Sequence, residues 1–272
     1  MHTIAGRRIL LAFALTALLA CAFWGALSAL GPNWDAYAPA TCTATRCFCE
    51  LPRSGKLLLQ PANTWSSFGY VLIGCLMLVM PYGRDRASAL SPLAARTLGV
   101  TAIVVGIGSG LLHATLTLWG QFFDVLGMYL VGSFFLVAAL ARWRRIPDRA
   151  AIALYAVLCV ALVVVLLVLP EVRRWLFAVL LMLAVIAELA FARRLRPGAR
   201  IAFYIGGLIA TLTAFAIWML DQQGVVCAPD SMLQGHAVWH LLGATSLWLS
   251  FCYYRSERRE RGLSRATTSQ RS

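Results

Sequence analysis

Apolar residues are grouped along the chain in eight long runs, at positions 9–30, 57–82, 97–118, 121–141, 150–169, 172–191, 201–221 and 232–254. Each run has about 20 residues or more, which is the length that a helix needs to cross a hydrocarbon layer about 30 Å thick. The strands of a membrane barrel would be about 10 residues long and would alternate apolar and polar positions. The pattern therefore predicts an all-α integral membrane bundle.

The first apolar run differs from the others because Arg7 and Arg8 precede a core rich in leucine and alanine. Such a run is typical of a cleaved signal peptide or of an uncleaved anchor. We expect four parts: a signal peptide or signal-anchor helix (1–30), an extracytoplasmic segment with cysteines (31–56), a seven-helix transmembrane core (57–254) and a basic tail (255–272).

The net charge is +13, so the placement of the basic residues decides what they mean. If Arg7 and Arg8 are cytoplasmic, every connection on that side is net basic, as the positive-inside rule requires. The excess therefore predicts topology and contact with anionic lipids, and not nucleic-acid binding. We expect a multi-pass protein of a bacterial-type inner membrane, with both termini cytoplasmic if the first helix is uncleaved. The sequence does not indicate an oligomeric state.

The eight cysteines divide by side. Four lie in apolar runs, where inert buried thiols are expected: Cys21, Cys75, Cys159 and Cys252. The other four lie in segments assigned to the outside: Cys42, Cys47, Cys49 and Cys227. An even number on the oxidising side favours disulfides, for which four cysteines allow three pairings. A zinc knot is the alternative.

Three of the four histidines, His113, His236 and His240, lie within apolar runs. An ionisable side chain at membrane depth costs a few kcal/mol, so such residues indicate function. At 1.5 Å per residue, these histidines and Asp124 lie within roughly 12 Å of the outer surface. His236 and His240 also share one helix face, because they are four residues apart. Four ionisable side chains on three helices are thus predicted to share one layer.

Three histidines with an open fourth position are the ligand set of catalytic zinc, which lowers the pKa of bound water toward 7. Asp124 would then act as the general base and later donate the proton to the leaving group. Ser109, four residues before His113, would hold the water or stabilise an oxyanion. The sequence therefore predicts three metal ligands, His113, His236 and His240, and two catalytic residues.

Each of these residues also has a structural interpretation. A single histidine in an apolar helix is usually a hydrogen-bonded core residue, but three at one depth favour a shared site. Asp124 lies near a predicted helix start, where an acid favours the helix dipole. Ser109 lies among three glycines that favour close helix packing: Gly106, Gly108 and Gly110. A metal-dependent receptor or a transporter is the non-enzymatic alternative. A transporter would spread its acids and histidines through the membrane depth, and these residues share one level.

Three further polar residues lie in the predicted helices. Glu188 is near an inner helix end, and we expect it to form an ion pair at the membrane surface with Arg193 and Arg194. Asn63 and Ser66 are expected to form hydrogen bonds between helices, with lining of a cavity as the alternative.

The constellation S-x-x-x-H, an aspartate eleven residues later and a late H-x-x-x-H resembles the alkaline ceramidase family. That family shares a superfamily with progestin and adiponectin receptor-like and Per1-like membrane hydrolases. Positions 63–66 (N-T-W-S) are similar to its N-T-x-S, and Trp218, Asp221 and Cys227 resemble its W-x-x-D and following Cys. The resemblance extends from about Cys47 to Trp248.

The resemblance implies a zinc amidase that cleaves the N-acyl amide of a ceramide-like lipid to a fatty acid and a sphingoid base. The lipid would reach the site sideways from the bilayer. The roles given above to the histidines, to Asp124 and to Ser109 are those that the family implies. It also implies that Cys49 pairs with Cys227. A related ester or phospholipid hydrolase is the second enzymatic alternative.

One stretch departs from the family. Its calcium site resembles D-W-C-E-x-N followed by a Glu, whereas positions 47–52 read C-F-C-E-L-P and Gln60 replaces the later acid. Only Glu50 keeps its carboxylate, and calcium prefers several oxygen ligands. We therefore expect the calcium site to be lost, and Cys47, which replaces the acid, to pair with Cys42.

Overall fold

The computed structural model describes residues 2–45, 47–80, 90–192 and 199–257. Within these residues the α-helices are α1 (His2–Leu30), α2 (Pro61–Ser66), α3 (Phe68–Val79), α4 (Pro92–Thr115), α5 (Leu118–Arg144), α6 (Asp148–Val168), α7 (Arg173–Ile186), α8 (Ile201–Gln222) and α9 (Gly235–Ser256). A π-helical segment, Ala187–Ala192, continues α7. Short 3₁₀ turns span Trp34–Ala36, Thr43–Thr45 and Pro170–Val172.

Seven spans among the described residues are long and apolar enough to cross a membrane, with α2 and α3 forming one of them. The less apolar α9 is not among the seven, and it packs antiparallel along α8. Thr211 of α8 bonds to Ser246 of α9, and the ring of Trp218 lies 6.3 Å from that of His236 near the other end of the pair. The prediction of an all-α membrane bundle with an additional helix near the N-terminus is confirmed.

Helix α1 packs onto α3 as part of the bundle. Phe23 meets Phe68 edge-on at 5.3 Å between ring centroids. Ala12 and Leu27 are fully buried, whereas most other described side chains of α1 are exposed or half-buried. The helix thus contacts the bundle along a narrow apolar stripe.

The second apolar run is shorter than predicted. Positions 57–60 are not helical, and the helix begins at Pro61, whose fixed φ suits a first helical position. The preceding residues run beside the end of α4, where Leu59 N donates to Ala114 O and Gln60 N donates to His113 O. This extended stretch brings Gln60 next to His113.

The turn between α4 and α5 also differs from the prediction, because the predicted runs 97–118 and 121–141 place it between positions 118 and 121. The connection is only Leu116 and Thr117. Leu116 is left-handed (φ 49°), and the Thr117 hydroxyl accepts a hydrogen bond from Gly120 N, which caps α5. Asp124 therefore lies in the second turn of α5, and its interpretation as an acid in the first turn is wrong.

Gly108 allows α4 and α5 to meet closely beside this turn. A Cβ at Gly108 would collide with the carbonyl oxygen of Phe123. The contact places Ser109 of α4 against Asp124 of α5, because each is the next residue along its helix. The predicted role of these glycines in helix packing is thus observed at Gly108.

Glu188 is buried within the bundle, near the end at which α5 and α9 finish, and its partner is not one of the two arginines expected from the sequence. Arg142 pairs with both Glu188 and Glu257, and all three side chains are buried. The Tyr253 hydroxyl donates to Glu188 at 2.7 Å. The expected partners Arg193 and Arg194 lie outside the described residues, as do Arg84, Arg86 and the tail beyond residue 257.

Candidate metal centre

The ends of α4 and α9 bring three buried histidines together. One ligand atom from each of His113, His236 and His240 lies within 4.8 Å of the others. The Nε2 atoms of His113 and His236 are 3.2 Å apart, and the ring centroids of His236 and His240 are 4.5 Å apart. Nitrogen atoms at this spacing fit a metal ion that binds several imidazoles at about 2 Å.

His240 has its Nδ1 fixed by α2. Ser66 Oγ lies 2.8 Å from His240 Nδ1 and Ser67 Oγ lies 3.3 Å from it. Both hydroxyls donate their single proton to the backbone carbonyl oxygen of Asn63, at 3.0 and 2.9 Å. The serines therefore accept from Nδ1–H, and His240 Nε2 keeps its lone pair for a metal.

The other two histidines differ in what faces their Nδ1 atoms. His113 Nδ1 lies 2.9 Å from Gln60 Oε1. His236 Nδ1 has no hydrogen-bond partner among the described residues. Metal-bound histidines usually donate their second ring N–H to a protein acceptor, so His113 and His240 fit a ligand role on this criterion as well as by position.

Ser109 and Asp124 complete the cluster. Ser109 Oγ lies 3.2 Å from His240 Nε2, and a side-chain hydrogen bond joins Ser109 to Asp124. Ser109 is buried and Asp124 is half-buried. The structure thus places a carboxylate one hydroxyl away from the histidines, and all five residues selected from the sequence lie together.

Phe48 covers the histidines from the side of residues 31–56, which we call the outer segment after its predicted location. Its ring centroid lies 4.5 Å from that of His113 and 4.2 Å from that of His236. Disulfide bonds fix the residues on both sides of it, since Cys47 pairs with Cys42 and Cys49 pairs with Cys227. The zinc knot of four cysteines is therefore wrong. The four cysteines of the apolar runs are free thiols, of which only Cys75 is fully buried.

Asp221 joins the outer segment to the start of α9. It accepts a hydrogen bond from Gly235 N at 2.9 Å and another from Cys49 N at 3.4 Å. Gly235 directly precedes His236. The Cys49–Cys227 disulfide links the outer segment to the connection between α8 and α9, which leads into His236.

Glu50 lies in the same outer segment and is buried. Burial raises the pKa of its carboxyl, while the backbone N–H groups of Asn63 and Ala62 and the charge of Arg53 act to lower it and Asp221 acts to raise it. The two N–H donors lie 2.9 and 2.8 Å from the carboxylate oxygens. Glu50 therefore ties the outer segment to the first turn of α2.

The raised pKa of Glu50 gives stability a pH dependence. Because the folded state holds the proton more tightly, the stability from this carboxyl is full below its ordinary pKa of 4.5 and is lost as pH rises through the folded-state value. We expect the unfolding temperature of the wild type, relative to Glu50→Gln, to be highest below pH 4.5 and to decline as the pH rises above it. Thermal unfolding of both proteins in one detergent measures this difference, and parallel curves would contradict it.

Sequence reasoning missed three residues around the histidines: Gln60, Ser67 and Phe48. Gln60 and Phe48 were noted only as departures from a calcium site. Pro61 could have indicated the role of Gln60, because proline favours the first position of a helix and the residue before that position, Gln60, is then the helix cap. Ser66 does bond between helices as expected, whereas the side chain of Asn63 has no hydrogen-bond partner among the described residues.

The fold and the site together define a multi-pass membrane protein with a buried three-histidine centre of the kind that binds a metal. The model of the ceramidase family matches residues 45–268. The match covers more than half of the chain, so the protein belongs to the ceramidase family, whose members are membrane hydrolases acting on amide bonds. A comparison with curated proteins finds no match.

Proposed function

We propose that the protein is a zinc-dependent amidase that cleaves the N-acyl amide of ceramide-like lipids to a fatty acid and a sphingoid base. The observation that carries this proposal is the convergence of His113, His236 and His240, with a carboxylate one hydroxyl away. Membership of the ceramidase family supports the substrate class. Zinc held by three imidazoles lowers the pKa of a bound water toward 7 and polarises a carbonyl oxygen.

The residues of the chain would carry the proton transfers. Asp124 takes a proton from the attacking water and delivers it to the amine that leaves when the amide bond breaks. Ser109 donates its one hydroxyl proton to the Asp124 carboxylate and stands beside His240. Once Asp124 has taken the proton of the water, the Ser109 hydroxyl is released to donate to the developing oxyanion.

We infer that the lipid reaches the site sideways from the bilayer. Phe48 lies on the histidine rings on the side of the outer segment, and two disulfides hold its neighbours. Direct access from that side is therefore restricted. We place this side outside a bacterial-type inner membrane, with arginine-rich connections against anionic lipids on the inner face.

We also infer that the calcium site of the family is absent. The two carboxylate oxygens of Glu50 accept backbone N–H groups of α2. Gln60, which stands where the family has an acid, uses its amide to bind Glu50 O and His113. These bonds occupy the groups that would be the remaining oxygen ligands.

Purified wild type and His236→Ala provide the test, with zinc content and fatty-acid release measured on both. We expect about one zinc per wild-type chain, release from N-acyl sphingoid lipids, and loss of both in the variant. Ester lipids run in parallel distinguish an esterase. Bound zinc without release from any amide would overturn the amidase, and a variant that keeps zinc and activity would overturn the site.

A further inference from the structure

Gln60 connects the metal centre to the outer segment through both ends of its side-chain amide. The residue is 1% exposed. Its Nε2 donates to the backbone carbonyl oxygen of Glu50 at 2.7 Å, and its Oε1 lies 2.9 Å from His113 Nδ1. The proposed mechanism uses neither contact.

The partner of Nε2 fixes the direction of the second bond. A carbonyl oxygen such as that of Glu50 only accepts, so the NH₂ end of the amide must face it and the carbonyl end must face His113. An amide oxygen also only accepts, so His113 Nδ1 must carry the proton. The lone pair of His113 is then on Nε2, the atom that lies 3.2 Å from His236 Nε2.

The backbone holds Gln60 in this orientation. Gln60 N donates to His113 O at 3.0 Å, and both the N–H and the hydroxyl of Thr64 donate to Gln60 O, at 2.9 and 2.7 Å. The side chain therefore starts from a fixed point directly beside the ring that it contacts.

We propose that Gln60 is the positioning residue of the metal centre, which selects the tautomer and the ring orientation of His113 and so sets the affinity for zinc. The proposal rests on the proposed zinc function. An acceptor behind a metal-bound histidine makes the imidazole a stronger ligand, and its removal lowers metal affinity about 10- to 100-fold.

The chain offers a matched control for Gln60→Leu. Gln121 is also a buried glutamine, and its Oε1 accepts two hydrogen bonds from Thr41 at 2.9 Å. Its side chain makes no hydrogen bond to a histidine among the described residues. We expect Gln60→Leu to lower zinc affinity about 10- to 100-fold and Gln121→Leu to leave it within about twofold. Competition with a chelator in detergent measures affinity, and thermal unfolding of the metal-free proteins measures stability.

Gln60→Glu separates positioning from general support of the fold. The variant keeps an acceptor for His113 Nδ1–H, but it sets an oxygen against the Glu50 carbonyl. We therefore expect a lower unfolding temperature than wild type together with zinc affinity above that of Gln60→Leu. If Gln60 only supported the fold, zinc affinity would fall in step with the unfolding temperature in Gln60→Leu, Gln60→Glu and Gln121→Leu.

The outcomes distinguish the two levels of the proposal. Wild type that binds no zinc would overturn the proposed metal enzyme. Wild type that binds zinc, with folded Gln60→Leu equal to it in affinity or with Gln121→Leu as weak as Gln60→Leu, would overturn the role of Gln60 alone. If Gln60→Leu does not fold, ¹⁵N labelling of the histidines in zinc-loaded wild type decides. The histidine whose ¹⁵N signals shift in Gln60→Glu is assigned to His113, the ring that Gln60 contacts. Its Nδ1 should carry a proton, and an Nδ1 bound to zinc would overturn the proposal.

Discussion

Asp124→Asn is expected to lower the rate of amide hydrolysis about 10²- to 10⁴-fold, the usual contribution of a positioned general base. Asparagine keeps the size of the side chain and accepts the hydrogen bond from Ser109, but it cannot take a proton. Zinc content should remain at the wild-type level, because the proposed ligands are the three histidines.

Fatty-acid release and bound zinc, measured on one preparation, check this expectation. Ser109→Ala is the matched comparison. It removes the hydroxyl that holds Asp124 but leaves the carboxylate, so its rate should fall less than that of Asp124→Asn. Loss of zinc from Asp124→Asn would instead identify Asp124 as a ligand, and unchanged activity would remove it from the mechanism.

Arg142→Met should cause the largest loss of stability among single substitutions away from the metal centre. The change removes the cation that pairs with the buried carboxylates of Glu188 and Glu257. Breaking a buried pair in this way costs about 3–5 kcal/mol. Arg142 lies about 27 Å along α5 from Asp124, so zinc content per folded protein should not change.

Arg144→Met is the control. It removes the same charge at a position two residues further along α5, where the arginine side chain is exposed and stacks on Trp143. Its unfolding temperature should stay close to that of wild type. Adding Glu188→Gln to Arg142→Met should recover part of the loss, because one of the two carboxylates that face Arg142 then carries no charge. Equal shifts for Arg142→Met and Arg144→Met would show that the buried pair does not stabilise the bundle.

The helices and the three-histidine cluster could be predicted from the sequence because both depend on features that membrane insertion enforces. A span must be apolar for about 20 residues, and a histidine such as His113 inside it is conspicuous. Depth counting from helix ends then placed His113, His236, His240 and Asp124 in one layer, and the structure has them within one cluster.

The contacts of the outer segment were less accessible, because extended chain carries no periodic signal. The pairing of Gln60 with His113 depends on a short non-helical stretch within an apolar run, and apolarity alone does not mark where a helix begins. The partner of Glu188 was missed for another reason. Arg193 and Arg194 are near in sequence, whereas Arg142 reaches Glu188 only through the packing of α5 against α7.

The assignment of two of the three histidines to α9 has a consequence for biosynthesis. A protein is synthesised from its N-terminus. Until residue 236 has been added, the growing chain contains only one of the three histidines, His113. Helix α9 is also outside the set of spans that are apolar enough by length and composition, so its insertion should depend on α8, which it contacts along its length. The proposed three-histidine site is therefore complete only when α9 has joined the bundle, and interrupted chains should be released without zinc.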